Sequence, residues 1–243
     1  MDVGHLLAPL IDAPERSAIL LDVDGTLAPI ESRPELSEVP PEAKAELRRL
    51  VSAYLLVACI SGRSEEDAAG LVGVQGIRIV GNHGLGLDPR ASRLAEEVRR
   101  FVSTLAIPTW IQAEDKGLSV TLHYREAPDA EEAERWLAEV AAAAGQAGLS
   151  PRWGRMVLEL RPAVSADKGT AVQTLNAETG AELALYAGDD VTDLDAFAGL
   201  ESSELEHAVR VAVASSEGPN ELTERADIVV ESPSALTDLL RLL

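Results

Sequence analysis

Basic residues are scarce in this sequence, cysteine is almost absent, and long apolar runs are missing. Lys and Arg number 21 against 41 Asp and Glu, a formal net charge of -20 with a pI near 4.5. That field repels nucleic acid and anionic membranes, so neither is expected as a partner. The acidity reads chiefly as a solvated surface that aids solubility. An anionic substrate would then need positive charge supplied locally, by a metal, a lysine or helix N-termini. The single cysteine, Cys59, excludes an internal disulfide and lies in the apolar run 55–60, so it reads as a core residue. No run is long enough to span a membrane. Residues 1–13 contain Asp2 and no basic leader, unlike a signal peptide. A cytoplasmic protein is expected. What is present is ordinary for a globular chain: 46 % hydrophobic and 26 % charged residues over 243 positions, enough for one large domain or a core with a modest insertion.

Short apolar runs first alternate with helical patterns. Residues 18–23 read as a buried strand ending in a sharp turn at Asp22, Asp24 and Gly25. Residues 40–54 are helical, with Leu47, Leu50, Val51 and Tyr54 on one face. A second strand, 55–60, closes at Ser61-Gly62-Arg63, and Ser64 followed by three acids marks a helix start. A third strand, 77–80, leads into Gly81-Asn82-His83-Gly84. This alternation predicts a parallel sheet with helices on both faces, in which ligands collect at the strands' carboxyl ends. Asp22, Asp24 and Ser61 all lie at such ends.

The texture then changes. A helix at 92–105, strands at 109–113 and 118–125 joined by a turn at 115–117, a helix at 129–147 and a hairpin of 149–153 and 156–160 follow. That order predicts an antiparallel sheet with two helices on one face. From Asp167 the first pattern returns: a helix at 170–177, a buried strand at 183–187 ending in Gly188-Asp189-Asp190, a helix opening at 193–197, strands at 209–213 and 228–230, and a closing helix at 235–243. The expected organisation is an α/β core of residues 1–84 and 163–243, interrupted by an α+β cap of residues 85–162.

Four segments carry chemistry. In Asp22-Val23-Asp24-Gly25-Thr26-Leu27, a turn after the strand lets two carboxylates converge on one metal or phosphate. One can attack phosphorus; the other can protonate the leaving oxygen and later deprotonate water. Gly25 would let the backbone approach the phosphate. At Ser61-Gly62-Arg63 a hydroxyl and backbone amides suit a phosphate oxygen, although a turn or cap role fits too. Arg63 can hold a substrate phosphate or pair with a surface acid. Lys168 can offset charge on the phosphoryl group and nucleophile, though a lone lysine before a helix is ordinarily a surface residue. In Gly188-Asp189-Asp190-Val191-Thr192-Asp193 the carboxylates after a buried strand call for a cation. Mg²⁺ prefers such hard oxygen ligands. Helix capping by Asp190 or Thr192 is the alternative.

In this order the four segments resemble the haloacid dehalogenase-like phosphatases, with the cap placed as in C2-capped members. A narrower resemblance lies in residues 114–125, Glu114-Asp115-Lys116-Gly117-Leu118-Ser119-Val120-Thr121-Leu122-His123-Tyr124-Arg125. Together with Val157-Leu158-Glu159-Leu160-Arg161-Pro162, residues 21–30, Gly81-Asn82-His83-Gly84, residues 188–193 and Asp195-Ala196-Phe197, it resembles the trehalose-6-phosphate phosphatase family over nearly the whole chain. The resemblance implies a Rossmann-like parallel-sheet core and a substrate-selecting cap. It implies Asp22 as nucleophile and Asp24 as acid and base. It implies Mg²⁺ on Asp22, the Asp24 backbone carbonyl and Asp189, with Asp190 and Asp193 behind them. Ser61 and Lys168 would bind the phosphoryl group, and Glu114, Lys116 and Glu159 the sugar hydroxyls. Arg63, His123 and Arg125 are further substrate-binding candidates. Two acids and a lysine do supply the acceptors and donor a polyol needs. One departure is Leu85-Gly86 after Gly84, where the family often carries a Glu.

The function expected is Mg²⁺-dependent hydrolysis of trehalose 6-phosphate, by a monomer whose cap closes on its small-molecule substrate. Another sugar phosphate, such as a glucosyl or mannosyl phosphoglycerate or a different disaccharide phosphate, is the first alternative. A catalytically silent sugar-phosphate-binding protein is the second. A glycosyltransferase reading of the Asp-x-Asp lacks a glycine-rich nucleotide loop.

Overall fold

The structure, a computed structural model, describes residues 2–31, 36–154, 156–215 and 218–243. In chain order its elements are α1 (Val3–Asp12), β1 (Ser17–Leu21), α2 (Pro41–Ala53), β2 (Leu56–Ile60), α3 (Glu65–Val72) and β3 (Arg78–Val80). Then come α4 (Ala91–Ser103), β4 (Gln112–Asp115), β5 (Val120–His123), α5 (Ala130–Gln146), β6 (Leu149–Gly154) and β7 (Val157–Pro162). The last are α6 (Lys168–Thr179), β8 (Leu183–Gly188), α7 (Asp193–Glu201), β9 (His207–Val213), α8 (Asn220–Arg225), β10 (Ile228–Val230) and α9 (Pro233–Leu240). Two compact units form: residues up to Gly84 with Ala166–Leu243, and Leu85–Ser165. Among the described residues no helix is long and apolar enough to cross a membrane.

The first unit is built on a six-stranded sheet in the order β10-β9-β8-β1-β2-β3, parallel at every pairing. Strands buried on both faces must be apolar throughout, and all five residues of β1 are buried. Ile19, Leu21, Val57 and Leu185 pack on one face against Leu7 and Leu10 of α1, Leu47 and Leu50 of α2, and Leu236 and Leu240 of α9. The alternate residues face the other way, where Tyr186 meets Phe197 of α7 edge to face at 6.2 Å. The chain runs outward from β1 through β2 and β3, then returns to the other side of β1 through β8. Strand order therefore reverses between β1 and β8, and the loops leaving those two strands part to open a crevice.

Two local devices aim residues into that crevice. A reciprocal cap starts α6: Asp167 Oδ1 accepts from the Thr170 amide at 2.7 Å, and the Asp167 amide donates to Thr170 Oγ1 at 3.0 Å. Lys168 is thus the first residue of α6 rather than a residue before it. The helices α6 and α7 then approach backbone to backbone at two glycines. A Cβ on Gly199 would lie 2.5 Å from the Gly169 carbonyl oxygen, so any side chain there would push Lys168 away from α7.

The second unit is an antiparallel sheet in the order β4-β5-β7-β6. Val98 of α4 and Ala133, Leu137, Val140 and Ala144 of α5 cover one face, over Val120, Leu122, Leu158 and Leu160. Each buried leucine contributes roughly 1.5–3 kcal/mol. A one-residue slip of β5 would expose Val120 and Leu122, so the face is determined. The opposite face carries the polar alternates.

Some elements differ from expectation. The first strand of this sheet starts at Gln112, because the Ile111 amide donates to Pro108 at 3.0 Å and closes a turn where extended chain was expected. The helix α1 was not foreseen: Asp2 caps it by accepting from the Gly4 amide at 3.3 Å, and Leu6, Leu7 and Leu10 supply a buried stripe despite Pro9 in its interior. The six-residue α8 is too short to show a period.

Candidate active site

Asp22 continues β1 by one step, its amide donating to the Ala187 carbonyl at 2.9 Å. Its carboxyl therefore stands at the carboxyl end of the sheet, beside Asp189 at the end of β8. Gly25 has φ +83°, and a Cβ there would fall 2.0 Å from Asp189 Oδ2. Only glycine lets the turn after Asp24 run against that carboxylate. Thr26 Oγ1 donates to Asp189 Oδ1 at 3.0 Å. Across the crevice, Lys168 Nζ lies 2.8 Å from Asp22 Oδ1 and 2.6 Å from Asp193 Oδ1. Asp22 is 5 %, Lys168 2 % and Asp193 0 % exposed.

Asp193 is a clamp. Its Oδ1 accepts from Lys168 and from the Tyr186 hydroxyl at 2.6 Å. Its Oδ2 accepts from the amides of Asp189 at 2.9 Å and Asp190 at 2.8 Å. Carboxylate oxygens of Asp22, Asp189 and Asp193 lie within 4.8 Å of one another, but both oxygens of Asp193 are committed to protein donors. Asp22 and Asp189 keep capacity for a cation.

The electrostatics point the same way. Burial raises Asp22 well above the ordinary carboxylate range; Lys168 opposes this, and Asp193 and Asp189 add to it. Burial and Asp193 lift Asp189 to about 7, against the Thr26 hydrogen bond. Burial alone would lower Lys168, but Asp193 and Asp22 more than reverse it, so its ammonium is held above its ordinary range. Burial, then Asp193, pushes the Tyr186 phenol up. One ammonium thus faces three carboxyls, more acid than the site keeps ionised. An oxygen-seeking divalent cation would relieve that excess, and the all-oxygen donor set fits Mg²⁺.

Asp24 takes a different direction. Its Oδ2 accepts from Arg63 Nε and its Oδ1 from Arg63 Nη2, both at 2.7 Å, and Ser37 Oγ donates to Oδ1 at 3.1 Å. The two carboxylates expected to converge on one metal or phosphate thus engage separate partners. Arg63 is paired with an acid, one of its two expected roles. The Asp24 side chain is 40 % exposed, so solvent screening leaves the pair worth about 1 kcal/mol or less. Ser61 is buried at the end of β2, its Oγ accepting from the Arg63 amide at 3.1 Å. The His83 amide donates to the Ser61 carbonyl at 2.8 Å, from a turn in which Asn82 and His83 have φ of 51° and 53°. Asp190 is exposed and touches the clamp only through its amide. Thr192 makes no capping hydrogen bond.

In the second unit, Glu114 Oε2 lies 2.8 Å from His123 Nε2, and Ser119 Oγ donates to Glu159 Oε1 at 2.6 Å. Lys116 is half-buried just beyond β4, its amide donating to Ser119 at 2.9 Å. These residues share the polar face of the sheet. Arg125 is exposed past the end of β5.

The sequence model of the trehalose-phosphatase family matches residues 20–107 and 109–233. The chain belongs to the trehalose-phosphatase family. A trehalose-phosphate phosphatase of Mycobacterium avium (strain 104) is 36 % identical over 202 residues, covering 74 % of this chain and 50 % of that protein. An uncharacterized glycosyl hydrolase of Mycobacterium tuberculosis is 35 % identical over 209 residues, 75 % of this chain and 15 % of that protein. The chain therefore spans about half the length of the trehalose-phosphate phosphatase and a smaller part of the hydrolase. Among solved structures, Aspergillus fumigatus trehalose-6-phosphate phosphatase superposes with a TM-score of 0.70 at 23 % identity, over 99 % of this chain and 96 % of that one. The C-terminal domain of the C. albicans trehalose-6-phosphate phosphatase gives 0.72 at 21 %, over 100 % and 96 %. At these identities the likeness is one of fold.

Within this member of the family, sequence reasoning missed three contributions. Thr26 reads from sequence only as part of the first segment, and its position in the turn was the available signal. Tyr186 read as one more residue of an apolar strand. Asp193 was foreseen only as standing behind the metal, not as the group that anchors Lys168. Cys59, expected in the core, is fully buried, and burial pushes its thiol up and makes it inert.

Proposed function

We propose that this chain is a Mg²⁺-dependent phosphomonoesterase that hydrolyses trehalose 6-phosphate to trehalose and phosphate. The observation that carries the reading is Asp22, buried against Lys168 at 2.8 Å and beside Asp189, at the point where strand order reverses. In this reading an Asp22 carboxylate oxygen attacks phosphorus and the bond to the sugar oxygen breaks. Asp24 gives that oxygen its proton, then takes one from the water that cleaves the aspartyl phosphate and frees phosphate and Asp22. The two-point pair with Arg63 has to open before Asp24 can carry a proton, which makes Arg63 available to the phosphate. Lys168 and the Ser61 hydroxyl offset charge on the phosphoryl oxygens. Mg²⁺, held by Asp22, Asp189 and the Asp24 carbonyl, would add positive charge there. Glu114, Lys116 and Glu159, with His123 and Arg125, would take the sugar hydroxyls.

The test is phosphate release by pure protein with Mg²⁺ from trehalose 6-phosphate, glucose 6-phosphate, sucrose 6-phosphate and glucosyl 3-phosphoglycerate, with and without EDTA. EDTA-sensitive preference for trehalose 6-phosphate is expected. Preference for another member keeps Asp22 and overturns the sugar assignment; Leu85-Gly86, the departure from the family pattern, is the reason for the wider panel. Silence on all four overturns the enzyme reading.

Metal binding carries its own signature. Asp189 is raised from 3.8 to about 7, so its contribution to stability is complete below pH 4 and is lost as pH rises through 7. A cation needs the ionised form. From Asp189, Mg²⁺ binding should release most of one proton at pH 6, about half of one at pH 7 and only a small fraction above pH 8. Calorimetry in two buffers of different ionisation enthalpy reads this directly. Proton release that does not vary with pH would contradict it.

A further inference from the structure

Helices cover one face of the cap-unit sheet, and the other face is polar. Register sets Glu114 opposite Thr121, Thr121 opposite Glu159, and Glu159 opposite Arg152. Thr121 therefore stands in a row of four, one residue per strand, with a carboxylate on each side. Val120 and Leu122 enter the core beneath the helices, so Thr121 between them points to the polar face. Both neighbouring carboxylates lean along the strands, Glu114 toward His123 at 2.8 Å and Glu159 toward Ser119 at 2.6 Å. The Thr121 hydroxyl is left between them. The residue is 3 % exposed, and its Oγ1 has no hydrogen-bond partner among the described residues.

A buried hydroxyl without a partner is costly and uncommon. β-Branched residues suit a strand, and valine would fill the same shape without that cost. The hydroxyl is therefore retained for something other than folding. Its neighbours restrict what that is. An anionic group would be repelled by Glu114 and Glu159, and an apolar one would leave the Thr121 hydroxyl unsatisfied. A neutral polyol offers each hydroxyl as both donor and acceptor, which matches two acceptors flanking a group that can do either.

We propose that Thr121 is a specificity-determining residue, its hydroxyl exchanging a hydrogen bond with a sugar hydroxyl held between Glu114 and Glu159. The inference rests on the sugar-phosphate reading above and adds to it a residue selected by geometry. Thr121→Val removes the hydroxyl and keeps the shape. The kcat/KM for trehalose 6-phosphate, divided by that for p-nitrophenyl phosphate, should fall about tenfold, mostly through KM. The ligand-free Tm should hold or rise, because an unsatisfied group has gone. Thr121→Ser, which keeps the hydroxyl, should restore the ratio to within about threefold of wild type.

An unchanged ratio, or a lower Tm with equal loss on both substrates, would overturn the assignment and make Thr121 structural. If wild type prefers trehalose 6-phosphate and Thr121→Val keeps that preference, only this inference falls. If wild type hydrolyses p-nitrophenyl phosphate but no sugar phosphate of the panel, the substrate reading and this inference fall together.

Discussion

Asp22→Asn is expected to abolish phosphate release, by a factor on the order of 10⁴ or more, while leaving the fold intact and no less stable. The asparagine amide oxygen can still accept from Lys168, which also keeps Asp193 at 2.6 Å. What disappears is the charge on which the proposed nucleophilic attack depends. The same charge is a burden to the folded state. Burial first, then its acidic neighbours against the pull of Lys168, raises Asp22 well above the usual carboxylate range, so the folded protein favours its protonated form more than the unfolded chain does. A group raised in this way contributes stability below its unfolded value and loses it as pH rises through the folded one. In EDTA the variant should therefore gain on wild type as pH rises from 4 to 8, and the two should converge near pH 4. Thermal melts across that range, with a phosphate-release assay at each pH, separate the two effects. Retained turnover would remove the covalent mechanism. A Tm lower by several degrees at every pH would make Asp22 a structural residue.

The largest loss of stability should come from Asp193→Ala. One substitution removes the acceptor for four donors: Lys168, the Tyr186 hydroxyl and the amides of Asp189 and Asp190. All are buried except Asp190. The Lys168 ammonium is left with Asp22 alone, and breaking one side of a buried pair costs about 3–5 kcal/mol. For a chain of this length that is a fall in Tm on the order of 10 °C. Activity should vanish with it, because Lys168 and the turn bearing Asp189 lose their common anchor. Asp193→Asn tests the anchor separately from the charge. It can still accept at one position, so it should recover part of the stability without recovering turnover. A melting temperature for Asp193→Ala within a degree or two of wild type would mean that the clamp does not hold this turn.

These outcomes would divide the acidic cluster into a part kept for chemistry and a part kept for structure. Asp22 is held against its own electrostatic preference, as is common where a reactive group must be buried and poised. Asp193 is satisfied on both oxygens and stabilises its surroundings. Both are buried aspartates at the carboxyl end of the same sheet, and only their hydrogen bonds tell them apart.

That distinction marks how far the sequence reads. Apolar runs broken by turn residues were enough to indicate the parallel sheet, because strands buried on both faces must be apolar along their whole length. The polar and apolar alternation of residues 118–125 was enough to indicate the antiparallel sheet. Residue type and position after a strand marked Asp22 and Asp189 as candidates, since buried charge is retained only with a partner or a purpose, whereas Lys168 reads as a surface lysine except in the company of the other segments. The helix α1 escaped because Pro9 and its short length weaken the period, although three leucines hold it to the sheet.

Which acid pairs with which cation was settled only by the tertiary structure. Asp22 and Asp24 are two residues apart, yet one faces Lys168 and the other Arg63, because the turn at Gly25 separates their directions. Thr26 and Asp189 are 163 positions apart, and Thr121 becomes the centre of a polar row only through the pairing of β5 with β4 and β7. A linear chain specifies periodicity and local turns because those depend on neighbours a few residues away. Hydrogen bonds between residues brought together by sheet order depend on the whole fold, and there the structure alone decides.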